Sequence, residues 1–162
     1  EYPAMLASVQ DAQGAVTLHR TYLRDGRKLD APDAKKVLSS GFAGAAVRLA
    51  EATDDLAVCE GIETGIAVFL ATGRPVWCAL SAGNLEKIWI PETVVSEGIY
   101  GDNDADGDFT GQASTYALAR RLMREPCHRG RREVRPHLPR RIGSDWADVW
   151  RQRQEALLLQ AA

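Results

Sequence analysis

The chain has 162 residues, 45% hydrophobic and 26% charged, with a formal net charge of -2. That length holds one domain, or a domain with a small appendage, and the composition is that of a soluble globular protein. No apolar run is long enough for a bilayer span and no basic-then-apolar leader opens the sequence, so no membrane partner is expected.

The chain opens on Glu1 rather than Met, so it is expected to be a piece of a longer chain or to carry a processed N-terminus. Met5 to Gln10 and Ala15 to Arg24 are β-prone runs around Asp11-Ala-Gln-Gly14, a loop length suited to a hairpin. A second turn follows at Asp25-Gly26. Ala31 to Gly44 has no clear period and is expected as loop with one helical turn at most, and Ala46 to Leu49 as a short strand. After the polar break Glu51 to Asp55, Leu56 to Cys59 reads as an apolar strand. It leads into a helix over Ile62 to Thr72, with Ile62, Ile66, Phe69 and Leu70 on one face and Gly73 as its stop. Pro75 to Leu80 is a second apolar strand, followed by a small-residue loop and a short helix near Leu85. Glu97 to Tyr100 is a third strand, ending in the acidic loop Gly101 to Asp108. Thr110 to Arg124 is predicted helical, with Tyr116, Ala119 and Met123 in line. Arg132 to Pro136 is a fourth strand. A last helix runs from Asp145 to about Leu159 behind a Ser144 cap, aligning Trp146, Val149, Trp150, Arg153 and Leu157. Strands alternating with helices imply an α/β fold, a parallel sheet with helices on its faces. The division expected is a strand-rich appendage over 1–53 and a catalytic domain over 54–162.

Cys59, Cys78 and Cys127 are too few and scattered for a disulfide framework, and no CxxC pair suggests zinc. Cys59 and Cys78 lie in apolar runs and are expected to be buried and reduced, which fits a cytoplasmic location. The small net charge hides an asymmetry: nine arginines lie between Arg120 and Arg141, against Glu125 and Glu133 alone.

Three turns carry the chemistry. In Gly101-Asp-Asn-Asp-Ala-Asp-Gly107, Asp102 and Asp104 sit two apart at a strand end, where period two points both side chains the same way. Paired hard oxygens suit Mg²⁺, which takes one or two carboxylates and completes its shell with water and phosphates. A calcium loop of the EF-hand type would place a bidentate Glu at Ala113, so that reading is rejected. An Asx-rich turn without metal remains the plain alternative. The second turn, Cys59-Glu-Gly-Ile-Glu-Thr-Gly65, puts Glu60 between strand and helix, where it is either a cap or a catalyst, and Glu63 can cap through the helix dipole. The third, Ser81-Ala-Gly-Asn84, presents backbone amides at a helix start, a place for phosphate or an ordinary tight turn. All three follow predicted parallel strands and so meet at one edge of the sheet, where open α/β sheets bind ligands.

Strand-Glu-Gly-helix followed by strand-Asp-x-Asp-x-x-Gly resembles the signature of the Toprim domain, shared by bacterial-type primases, type IA and type II topoisomerases, some nucleases and recombination-repair proteins. Val58-Cys-Glu-Gly-Ile-Glu-Thr64, Pro75 to Gly83 and Gly101 to Gly107 resemble the Toprim region of plasmid, phage and integrative-element primases. His19-Arg-Thr-Tyr-Leu23, Lys35-Lys-Val-Leu38 and Gly44 to Leu49 resemble the segment that precedes it there. The resemblance implies a Toprim fold, about four parallel strands flanked by helices, with the strand-rich appendage in front. It implies Glu60, Asp102 and Asp104 as catalytic and metal-binding residues, with Asp145 and Asp148 resembling a late acidic motif; for Asp145, helix capping is the equal alternative. Thr64 departs from the pattern, since those primases often carry an acid there, and Glu63 is the available substitute. Asp106 has no counterpart and is a candidate support for the site. The implied activity is Mg²⁺- or Mn²⁺-dependent nucleotidyl transfer as part of a DNA primase in mobile-element replication. Single-stranded DNA template and nucleotides are the implied partners, with a replicative helicase as a further one. Lys35, Lys36, Arg120, Arg124 and Arg131 are the expected template-binding residues. A Toprim nuclease and a non-catalytic nucleic-acid-binding or docking module are the alternatives.

Overall fold

The computed structural model describes residues 2–39 and 41–160. Strands β1 (Ala4–Gln10) and β2 (Ala15–Arg24) form the expected antiparallel hairpin, and β3 (Arg27–Lys28) returns along β2 after the Asp25-Gly26 turn. The segment expected as loop contains a further strand, β4 (Lys35–Val37), paired antiparallel with His19 to Thr21 of β2. Three residues show no period of their own, so only the open edge of β2 makes them a strand; Ser40, in the same segment, lies outside the described residues. β5 (Ala46–Arg48) then joins β1 to the rest of the sheet.

The remaining elements are β6 (Asp55–Cys59), α1 (Ile62–Thr72), β7 (Val76–Cys78), α2 (Ala82–Leu85), β8 (Ser96–Tyr100), α3 (Thr110–Leu122), β9 (Glu133–His137) and α4 (Trp146–Gln160). The sheet runs β3-β2-β1-β5-β7-β6-β8-β9. β7, β6, β8 and β9 are parallel, as expected, and β5 closes on β7 antiparallel. The N-terminal strands are thus hydrogen-bonded into the same sheet as the parallel ones.

β6 is central and buried on both sides, so its run is apolar without alternation. Leu56 and Val58 face a core with Trp77, Ile99, Leu118 and Leu122, against α2 and α3. Ala57 and Cys59 face the opposite core with Val68, Val76 and Cys78, against α1. Cys59 and Cys78 are buried free thiols, as expected, and Cys127 is buried as well.

Two helices present a different face from the one their sequences suggest. In α1, Ile62 packs inward, but Ile66, Phe69 and Leu70 are exposed, and Thr64, Gly65, Ala67 and Val68 face the sheet. Space decides this: a Cβ at Gly65 would stand 2.3 Å from the Cys78 sulfur, so only small side chains fit there. In α3, Tyr116 and Met123 are exposed, while Ser114, Thr115, Leu118, Ala119 and Leu122 form the buried stripe. Gly73, at φ 70°, ends α1 as expected.

α4 has no fully buried residue. It is held at its start by Trp146, whose ring meets Tyr100 edge-on with centroids 5.5 Å apart, while Tyr100 stacks on His137 at 4.6 Å. Its cap is Asp145, not Ser144: Asp145 Oδ1 accepts the Asp148 amide at 2.8 Å, and Asp148 Oδ2 accepts the Asp145 amide at 3.3 Å. The Ser144 hydroxyl instead donates to the Arg141 carbonyl at 2.6 Å.

Candidate active site

The chain leaves β6 toward β7 on one side and later returns to β8 on the other, so the strand order reverses at β6. Crevices at such reversals, outside the carboxyl ends of the strands, are where open α/β sheets hold ligands. Glu60 follows the last residue of β6, and Asp102 lies two residues beyond β8. Both line one cavity of about 460 Å³, together with Asp145 from the start of α4 and Glu63 and Thr64 from α1. The same cavity is also lined by cations: Lys28 of β3, Lys35 of β4 and Arg151 of α4.

Asp104 does not line this cavity. Its Oδ2 accepts the Gly111 amide at 2.8 Å and so caps α3. The contact is close because Gly111 has no Cβ; one built there would lie 2.5 Å from the Asp102 carbonyl oxygen. The charge of Asp104 still reaches the crevice. Burial first, then Asp104, raises the Glu60 carboxyl above the usual range, against the opposing pull of Lys35 and the Ala82 amide. Burial, followed by Glu60, Asp145, Asp104 and Asp148, pushes Asp102 up to about 7. Asp102 Oδ1 is buried and has no hydrogen-bond partner among the described residues. Glu63 goes the other way: burial would raise it, but the Lys35 ammonium at 2.9 Å and neighbouring groups hold it below the ordinary value.

The predicted basic residues separate. Lys35 and Lys36 are neighbours in β4, so they point to opposite faces. Lys35 enters the crevice, and Lys36 pairs with Asp33 at 3.3 Å. Arg120, Arg124 and Arg131 gather in another groove, at the C-terminal end of α3. Much of the remaining basic stretch is structural: Arg121 pairs with Glu125 at 2.6 Å, and buried Arg132 donates to the Val94 and Pro91 carbonyls. The Ser81-to-Asn84 turn is mainly structural as well, since Asn84 bridges the Gly44 amide and the Ala45 and Ala79 carbonyls, and Ser81 caps α2 itself. Asp106 is exposed and lies against Gly143, outside the crevice lining.

Glu63, the substitute for the acid absent at Thr64, lines the cavity, and Lys28 and Arg151 join it without having been expected there. For Lys28 the sequence holds no signal, because a two-residue strand has no period. Arg151 lies six residues beyond Asp145, fewer than two helical turns.

The donor set suits a hard cation such as Mg²⁺: carboxylate oxygens crowd one another, and one of them is orphaned in a buried position. Among the described residues no group of three or more His, Cys, Asp or Glu stands ready to enclose a metal ion. Mg²⁺ is commonly held by one or two carboxylates plus water and substrate phosphates, so Asp102 with Glu60 or Asp145 fits it without a full protein cage.

Comparison with known proteins agrees with this architecture. The protein family described as Toprim domain matches residues 55–156, and a domain of unknown function, DUF7146, matches residues 1–49. No curated protein matches the chain. Among solved structures, the primase fragment of the bacteriophage T7 primase-helicase protein is similar at 15% identity and a TM-score of 0.65, over 98% of this chain and 62% of that one. A DNA primase domain from Pseudomonas aeruginosa is similar at 16% identity and a TM-score of 0.60, over 97% and 50%. A DnaG primase catalytic domain bound to single-stranded DNA follows at 13% identity and 0.59, over 97% and 52%. The chain thus spans about half to three fifths of those structures. With a Toprim match over most of its length and the expected four parallel strands, the chain belongs to the Toprim domain family.

Proposed function

We propose that this chain is the nucleotidyl-transfer part of a primase-type enzyme, acting on nucleotides and a single-stranded DNA template within a longer protein. The observation that carries the reading is the crevice itself: Glu60, Asp102 and Asp145 line one cavity together with Lys28, Lys35 and Arg151. Carboxylates alone would repel a nucleotide, and cations alone would bind any anion; the two sets together suit a nucleoside triphosphate that arrives with a divalent cation. Lys28, Lys35 and Arg151 would draw in and orient the phosphates. Lys35 would leave Glu63 to do so, a small cost for a partly exposed ion pair. Glu60, raised by burial and by Asp104, would accept the proton of the attacking 3′-hydroxyl as that oxygen bonds to the α-phosphorus and pyrophosphate leaves. Asp102 and Asp145 would hold Mg²⁺ or Mn²⁺, which when bound neutralises phosphate charge. Asp104 would position Asp102 by fixing α3 against the loop.

The likeness of the Glu60 and Asp102 motifs to those of plasmid, phage and integrative-element primases supports a mobile-element parent protein, with a replicative helicase as neighbour and the cytoplasm as its place. Incubating the 162-residue chain with a single-stranded template and labelled nucleotides, with Mg²⁺ and with EDTA, tests the reading. Metal-dependent incorporation that Asp102→Asn abolishes is the expected result. Shortening of the DNA would replace primase by nuclease, and neither product, with binding retained, would reduce the chain to a binding module.

A further inference from the structure

The outer face of α3 carries a stripe that the crevice does not use. Tyr116, Arg120, Met123 and Arg124 recur at the spacing of one side of a helix, Phe109 directly precedes that helix, and all five are exposed. The stripe begins beside the acidic loop and runs about 22 Å, at 1.5 Å per residue, to the far end of α3. There it opens into a groove of about 450 Å³ lined by Tyr116, Met123 and Pro136 together with Arg120, Arg124 and Arg131. Other arginines nearby are neutralised by Glu125, Asp54 or Glu133. Arg120, Arg124 and Arg131 make no ion pair among the described residues, and no carboxylate lines the groove.

Phe109 is a second, independent observation. Its backbone is left-handed, at φ 62°, a conformation strained for a bulky residue and easy for Gly or Asn. Its side chain is 55% exposed and makes no capping hydrogen bond. The capping of α3 falls to Asp108, which accepts the Thr110 amide, and to Asp104. The ring therefore serves neither core nor cap, at a position where it costs stability.

We propose that the outer face of α3 is a track for single-stranded nucleic acid leading to the crevice, with Phe109 and Tyr116 stacking bases and Arg120, Arg124 and Arg131 holding phosphates. This rests on the nucleic-acid reading of the crevice and extends it to a surface that the crevice does not include. Cations alternating with aromatic faces along a line match the alternation of phosphate and base in a single strand. An acidic peptide would engage the same arginines but has no use for a strained aromatic ring beside the carboxylate loop.

Fluorescence anisotropy of a labelled oligothymidylate of about 12 nucleotides, within the range of site sizes for such grooves, reads this binding in the 162-residue chain. Metal and nucleotides are left out, so binding is separated from chemistry. Tyr116→Ala and Phe109→Gly are each expected to weaken binding about fivefold or more, the lower end of the range for one stacked base. Phe109→Gly should also raise Tm, because it relieves the backbone strain. The double variant Arg120→Ala, Arg124→Ala should lower the slope of log K against log salt by about 1.4, at about 0.7 per phosphate on a single strand. Arg140→Ala with Arg141→Ala removes the same charge off the stripe and should leave binding within twofold of the parent chain. Stripe variants that bind like the parent would overturn the track. Polyglutamate of equal charge displacing the oligonucleotide as well as unlabelled DNA does would overturn it in favour of an acidic-peptide surface. Stripe-dependent binding by a chain that incorporates no nucleotide upholds the track and removes only the catalytic reading.

Discussion

Replacing Asp102 with Asn removes one of the crowded charges in the crevice and leaves the shape of the side chain almost unchanged. The Asp102 carboxyl is raised from 3.8 to about 7, first by burial and then by Glu60, Asp145, Asp104 and Asp148. Between those two values the folded chain holds the proton and the unfolded chain has released it, so this group makes stability fall as pH rises through the window. The full shift is worth about 4 kcal/mol at 1.36 kcal/mol per pH unit. The cavity is open to water and the charges are mutually screened, so about 1–2 kcal/mol is the magnitude to expect. At pH 8 without divalent metal, Asp102→Asn should therefore raise Tm by about 2–8 °C for a chain of this size. At pH 5, near the lower end of that window, the advantage should shrink to about 40% of this, and it should vanish only below the unfolded value of 3.8. Mg²⁺ at ten times its Kd should stabilise the native chain by about 1.4 kcal/mol and the variant much less. Thermal melts of both proteins at the two pH values, with Mg²⁺ and with EDTA, carry the test. A variant that melts below the native chain at pH 8, together with a native melt indifferent to millimolar Mg²⁺, would refute both the stored repulsion and the metal site.

Glu97 is fully buried in β8, and neither of its carboxylate oxygens has a hydrogen-bond partner among the described residues. Burial raises it well above the usual value despite Arg132 and Arg74, so it too makes stability fall as pH rises above its unfolded value. Glu97→Gln should raise Tm more at pH 8 than at pH 5, with denaturant midpoints at the two pH values as the check. Gly65→Ala drives a Cβ to 2.3 Å from the Cys78 sulfur and 3.2 Å from that of Cys59, so urea unfolding should show a loss of about 1–3 kcal/mol. Asp145→Ala removes the cap of α4 and should cost about 1 kcal/mol, with faster amide exchange confined to the first turn of that helix. Asp145→Asn keeps an accepting oxygen and should hold the helix, so nucleotide incorporation by that variant reads the crevice role separately from the cap.

Most elements were legible because each carries a local signature. The two arms of the hairpin, the apolar run of β6, the Gly73 stop and the Asp-rich turn after β8 depend on nearest neighbours in the chain. β4 was not legible, since three residues become a strand only when β2 offers an unpaired edge. The inward faces of α1 and α3 were misjudged for a related reason. Helical periodicity identifies an apolar face, but Gly65 against two cysteine sulfurs and Gly111 against the Asp102 carbonyl require small residues where helix meets sheet, which turns Phe69, Leu70, Tyr116 and Met123 outward. Ser144 and Asp145 are both good capping residues, and only the backbone path after Gly143 selects Asp145.

The candidate site divides the same way. Placing Glu60 and Asp102 at the carboxyl ends of parallel strands required only the order of strands, turns and acidic residues, because a parallel sheet sends all such ends to one edge. That Asp145 joins them while Asp104 turns to cap α3, that Lys35 enters the crevice and Lys36 does not, and that Lys28 and Arg151 complete the cationic lining follow from packing between segments distant in the chain. Strand order is a one-dimensional property that alternating hydrophobic patterns record. Which side chains share a cavity depends on twist, register and helix docking, and these are settled only when both faces of the sheet have been covered.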